Sequence, residues 1–118
     1  MLPPHARLTQ SSGFRAVYGR GRSYATDLIV LYVLPRPGGD RVRFGFSAGK
    51  KLGGAVVRNR AKRLMREAAR ALLPRISGSY DFVVIARKPV TDAAYADVVK
   101  DLRKLLERAG VFTGAGEN

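Results

Sequence analysis

Residues 47–70 read SAGKKLGGAVVRNRAKRLMREAAR. Eight positive side chains (Lys50, Lys51, Arg58, Arg60, Lys62, Arg63, Arg66 and Arg70) stand there against the single acid Glu67. Stepped at about 100° per residue, Val57, Ala61, Leu64, Met65, Ala68, Ala71 and Leu72 gather within roughly a third of a turn. Asn59, Lys62, Arg63, Arg66 and Arg70 gather opposite them, with Arg58 and Arg60 on the two margins and Leu73 as an apolar intruder. The pattern predicts a helix from about 55 to 73, stopped by Pro74, with one side on a core and a cationic side turned away.

Working outward, both neighbours of this helix read as strands. RVRFGFSA at 41–48 alternates Val42, Phe44 and Phe46 with Arg41, Arg43 and Gly45, a strand with one buried face. DFVVIA at 81–86 and LIVLYVLP at 28–35 are continuously apolar, which suits strands covered on both faces. RPGGD at 36–40, GKKLGG at 49–54 and SGS at 77–79 are turns or loops. A short helix over Gly13–Tyr18, capped by Ser11 or Ser12, puts Phe14, Val17 and Tyr18 on one side. A last helix, capped by Thr91 or Asp92 and ended by Gly110, carries Tyr95, Val98, Val99, Leu102, Leu105, Leu106 and Ala109 at amphipathic spacing. The 118 residues suit one domain, with residues 1–8 as an extended arm and 111–118 as a loose tail. Only three strands are clear; a fourth lies near Ser23–Asp27 or in a split of the 28–48 region.

Composition narrows the chemistry. Lys and Arg number 22 against nine Asp and Glu, a net charge of +13, so the expected partner is a phosphate polyanion or an anionic lipid. There is no cysteine, and His5 is the only histidine, which excludes thiolate or multi-histidine metal sites. No segment reaches the ~20 apolar residues of a membrane span, and residues 1–6 lack the apolar core of a signal peptide. The chain reads as a soluble cytoplasmic protein.

A run of charge often marks nothing more than a solvated face. Such faces usually mix signs, because like charges at i,i+4 cost roughly what opposite ones contribute, ~0.2–0.5 kcal/mol. Here Lys62–Arg66 and Arg66–Arg70 are like pairs. A bound polyanion would neutralise that repulsion, and the excess of arginine favours nucleic acid over membrane. The apolar side, rich in alanine, suits close packing on a sheet better than insertion into lipid. A protein nuclease would need clustered carboxylates or a histidine base. The acids are scattered, with Asp97 and Asp101 placed to balance Lys100 and Lys104, so intrinsic catalysis is not expected.

The stretch KKLGGAVVRNRAKRLMREAAR closely resembles the signature of the bacterial ribonuclease P protein family. The resemblance extends to Phe14 with Val17 and Tyr18, to LIVLYVLP, to RFGFSAGKK and to DFVVIARKP. It departs at Gly13, where a better helix former is expected, and at Tyr18, where Phe is commoner. The resemblance implies an α/β two-layer sandwich in the order α-β-β-β-α-β-α. Its four-stranded sheet would be packed by helices and would contain a left-handed βαβ crossover, contrary to the usual hand. It implies a protein component that assists removal of the 5′ leader from precursor tRNA, with the catalytic centre and its magnesium ions in a large RNA. No cofactor is expected on the protein alone, and the expected partners are ribonuclease P RNA and precursor tRNA, with neither a membrane nor an obligate protein partner. By the same resemblance, Lys50, Lys51, Arg58, Asn59, Arg60, Lys62, Arg63 and Arg66 face the catalytic RNA. Phe14, Tyr18 and Tyr32, with Phe44 and Phe46 as additions, bind the leader. Spacing alone leaves these aromatics open between a packed core and a base-stacking surface. Arg7, Arg15, Arg20 and Arg22 make the amino-terminal quarter a second basic region. The competing reading is another basic RNA-binding protein, such as a ribosomal one.

Overall fold

The structure, a computed structural model, describes residues 6–8, 11–39 and 41–112. Its elements run α1 (Ser11–Arg20), β1 (Arg22–Ala25), β2 (Ile29–Pro35), β3 (Val42–Ser47), α2 (Ala55–Leu72), β4 (Tyr80–Ala86) and α3 (Tyr95–Ala109), the order the resemblance implies. The strands lie in the order β1-β2-β4-β3. β1–β2 and β2–β4 pair antiparallel, while β3 and β4 pair parallel. The parallel pair requires a crossover, and α2 supplies it.

The fourth strand is β1, near the first of the two expected places. Its signal in sequence is weak because it is an edge strand with a single partner, and only Tyr24 leans onto the core. One face of the sheet presents Ile29, Leu31, Val33, Phe44, Phe82, Val84 and Ala86 to α2 and α3. α2 contributes Ala61, Met65, Ala68, Ala69 and Leu72, and α3 contributes Val98, Leu102, Leu105 and Leu106. Each large apolar side chain so buried is worth about 1.5–3 kcal/mol against exposure. The other face carries α1, where Val17 packs with Leu8 and Val83, flanked by Phe14, Tyr32, Leu34 and Ile85. Helices therefore cover both faces, the second over a smaller area.

β3 does not have the single buried face expected of it. Gly45 is buried beneath Phe14, and a Cβ built there would lie 2.5 Å from Phe14 Cζ. Arg43 is drawn to its register neighbour Asp81, which is 4% exposed: Nε donates to Oδ1 at 2.9 Å and Nη2 to Oδ2 at 2.8 Å. Arg36 Nη1 lies 3.5 Å from the same carboxylate. The hydrogen bond with Asp81 raises the Arg43 guanidinium further above its ordinary pKa, outweighing the opposing effect of burial.

Other boundaries shift for local reasons. Thr91 and Asp92 do not cap α3; they belong to a 3-10 turn, Lys88–Asp92, in which Thr91 Oγ1 donates to Lys88 O at 3.0 Å. α3 starts at Tyr95, where Ala94 N donates back to Asp97 Oδ2 at 3.2 Å. Asp97 thus serves the helix end, and no Asp97–Lys100 or Asp101–Lys104 ion pair forms among the described residues. Gly110, at φ 73°, ends α3 in the left-handed conformation that glycine tolerates. Val111 and Phe112, expected in the loose tail, are instead buried, and Phe112 bridges to Ile76. Residues 113–118, most of the arm, and the Ser11 and Ser12 side chains of the expected cap lie outside the described residues.

Candidate nucleic-acid interface

The basic side of α2 divides three ways. Val56, Asn59, Arg60, Arg63 and Arg66 share an outward groove of about 610 Å³. Lys62 and Arg66 also border a cleft of about 510 Å³ at the outer edge of β3, shared with Arg7, Leu8, Phe14, Phe44 and Phe46. Arg58 turns inward and is partly buried; its Nε has no hydrogen-bond partner among the described residues. The helix turns its buried side slightly away from the apolar arc read from sequence. Ala69 is buried, while Val57 and Ala71 are exposed.

Arg60 has a double character that its sequence position did not show. Nη1 donates to Thr91 O and Nη2 to Ala93 O, each at 3.2 Å, tying α2 to the turn before α3. Tyr95 makes a second tie, its hydroxyl donating to Glu67 O at 3.2 Å. Arg70 Nε donates to Glu67 Oε1 at 3.3 Å, so Arg70 is partly neutralised on its own helix. Lys50 and Lys51 are exposed on a 3-10 turn that leads into α2 and is anchored by buried Leu52. Lys88, not anticipated from sequence, joins them by donating Nζ to Leu52 O at 3.1 Å.

The aromatics fall into two groups. Tyr18 and Tyr32 meet edge to face at 5.2 Å, with Phe14 at 6.3 Å from Tyr18, all on the α1 side of the sheet. Tyr18 is 41% exposed and forms the open surface of this group. Burial pushes its phenol above the usual 10.0, opposed by a hydrogen bond shared with Ser47 and assisted by Tyr32, so the ring is neutral at physiological pH. Phe44 belongs to the opposite face, 0% exposed and stacked on Phe82 at 4.8 Å. Its ring is packed in the core rather than open to solvent, unlike that of Tyr18. Phe46, half-buried and 6.0 Å from Phe44, faces the β3-edge cleft.

Arg7 is brought to that cleft by the arm. It bridges to Phe44 along the free edge of β3, and Leu8 N donates to Phe44 O at 2.7 Å. The two surfaces that the sequence presented separately therefore meet at the edge of β3. Among the described residues no three His, Cys, Asp or Glu side chains converge as metal ligands, and no helix is long and apolar enough to cross a membrane.

Fold and site together define a small α/β protein with a cationic helix on one face of its sheet and an aromatic cluster on the other, the equipment of an RNA-binding domain. The sequence pattern of the family Ribonuclease P matches residues 2–110. The ribonuclease P protein component of Symbiobacterium thermophilum is 46% identical over 110 residues, covering 93% of this chain and 96% of that one. The ribonuclease P protein of Staphylococcus aureus superposes with a TM-score of 0.82 at 34% identity, over 92% of this chain and 98% of that one. The Thermotoga maritima protein gives 0.77 at 30% identity, over 86% and 96%. The chain belongs to the ribonuclease P protein family, the protein subunit of a bacterial ribonucleoprotein endoribonuclease of tRNA processing. None of these relatives favours the ribosomal alternative.

Proposed function

We propose that this chain holds ribonuclease P RNA with α2 and its leading loop, and the 5′ leader of precursor tRNA with the aromatic cluster beneath α1. The observation that carries the reading is the placement of the two surfaces. Asn59, Arg63 and Arg66 project outward on α2, while Tyr18 lies open on the other side of the sheet. A rigid row of cations at about 1.5 Å rise per residue suits folded RNA backbone. Open rings suit unstacked bases of any sequence, as a leader that differs between substrates requires.

On this reading the protein itself holds no metal. The one carboxylate buried among the described residues, Asp81, is engaged by Arg43 and lies beside Arg36. On this reading the magnesium ions of the holoenzyme belong to the RNA, the protein has no hydrolytic step of its own, and its place is the bacterial cytoplasm without an obligate protein partner.

The test mixes repurified protein with ribonuclease P RNA and a leader-bearing precursor tRNA at low magnesium. Leader removal is expected only when both protein and RNA are present. Cleavage by RNA-free protein, or no gain when protein is added to RNA, overturns the reading.

A further inference from the structure

Val56 is 84% exposed in the first turn of α2. A single exposed valine needs no explanation by itself. Its company does. It lines one groove with an amide, Asn59, and three guanidinium groups, Arg60, Arg63 and Arg66. The fold gains little from it: the side chain packs on almost nothing, and a β-branched residue is a poorer helix former than alanine. The groove's volume, about 610 Å³, falls in the ~300–1,000 Å³ range of small-ligand sites. One side is held fixed, because Arg60 is anchored to the carbonyls of Thr91 and Ala93. The same end of α2 has Gly54 at its N-cap, no side-chain cap and no acid in its first turn, so its positive end is left for an anion.

We propose that this groove seats one unpaired nucleotide of the catalytic RNA, its base against the methyl groups of Val56 and its phosphate on Arg63 and Arg66. The inference rests on the assignment of α2 to the catalytic RNA and deepens it. Double-helical backbone can use the arginines but has nothing to place on an apolar patch. A base turned out of its helix offers an apolar face, a polar edge for the Asn59 amide and an adjoining phosphate.

The two kinds of contact separate by salt. A phosphate contact contributes about one unit to the slope of log affinity against log salt, whereas an apolar contact contributes none. The experiment compares wild type, Val56→Ser, Val56→Leu and Arg63→Ala for binding to refolded ribonuclease P RNA over a range of salt. Melting curves and single-strand-specific chemical probing of the RNA accompany the binding curves. Val56→Ser is expected to bind about three- to tenfold more weakly, short of the loss for fully burying two methylene equivalents. Its salt slope and melting temperature should stay unchanged, and Val56→Leu should retain affinity. One base that is reactive in free RNA should be protected by the wild type and reactive again with Val56→Ser. Wild-type affinity for Val56→Ser, a flattened salt slope, or an unchanged footprint overturns the nucleotide seat. If Arg63→Ala flattens the slope while Val56→Ser is silent, only this inference falls; if Arg63→Ala is silent too, α2 does not face the RNA.

Discussion

Gly45 shows how one absent side chain shapes the aromatic surface proposed to hold the leader. The ring of Phe14 occupies the space a Cβ would need, 2.5 Å from Cζ and 2.8 Å from Cε1. Phe14 cannot move inward, because Gly45 belongs to β3 in the middle of its pairing with β4. Gly45→Ala should therefore push the ring outward and loosen α1, at a cost of about 1–3 kcal/mol for overpacking. Urea unfolding reads the stability loss. A parallel loss of affinity for leader-bearing precursor tRNA, with mature tRNA unaffected, reads the displaced ring. An unchanged midpoint would mean that the helix accommodates the methyl freely. The period-two pattern in sequence assigned Gly45 to the polar side of its strand. It could not show that α1 folds back over that side, since no local signal couples residue 14 to residue 45.

At the scale of the element, α2 combines two tasks that its sequence presents as one stripe. Arg60 fastens the helix to the turn before α3, while Arg63 has no protein partner among the described residues. Their alanine variants should therefore differ in kind. Arg60→Ala should lower stability by ~1 kcal/mol, the scale of exposed hydrogen bonds with a charged donor. Arg63→Ala should leave melting unchanged, weaken binding to the catalytic RNA and flatten the salt slope by about one unit. Equal melting temperatures for the two variants would show that the Arg60 contacts carry no stability. The helical period placed Arg63 on the basic side and Arg60 at its margin, but which carbonyls lie within reach is a property of the loop at 88–93.

The whole molecule carries +13 on 118 residues and uses its sheet as a partition. α2 with its cations lies on one side and the Tyr18–Tyr32 pair on the other, and the two surfaces approach each other around the β3 edge. Tyr18 tests this division best, because it is the most exposed of the three rings. Tyr18→Ala should lower affinity for precursor tRNA with a leader of several nucleotides by ~1 kcal/mol, the low end for removing one stacking ring. Affinity for mature tRNA and for the catalytic RNA should hold. A uniform loss across all three RNAs, with early melting, would show instead that the ring is structural.

The sequence by itself determined the three helices, three of the four strands and the polyanionic chemistry expected of the partner. Apolar runs and periods of two and 3.6 are local properties, and so is the concentration of arginine on one helical side. Tertiary structure alone decided which face each ring occupies. Phe44 and Tyr32 are both aromatic residues in strands, yet one lies sealed against Phe82 and the other joins Tyr18, because pairing register sets which way each points. Tertiary structure also turned Arg58 inward, bound Arg60 to distant carbonyls, buried Asp81 between two arginines and brought Arg7 to the β3 edge. Each of these depends on contacts between residues far apart in the chain, and a pattern confined to neighbours along it carries no record of them.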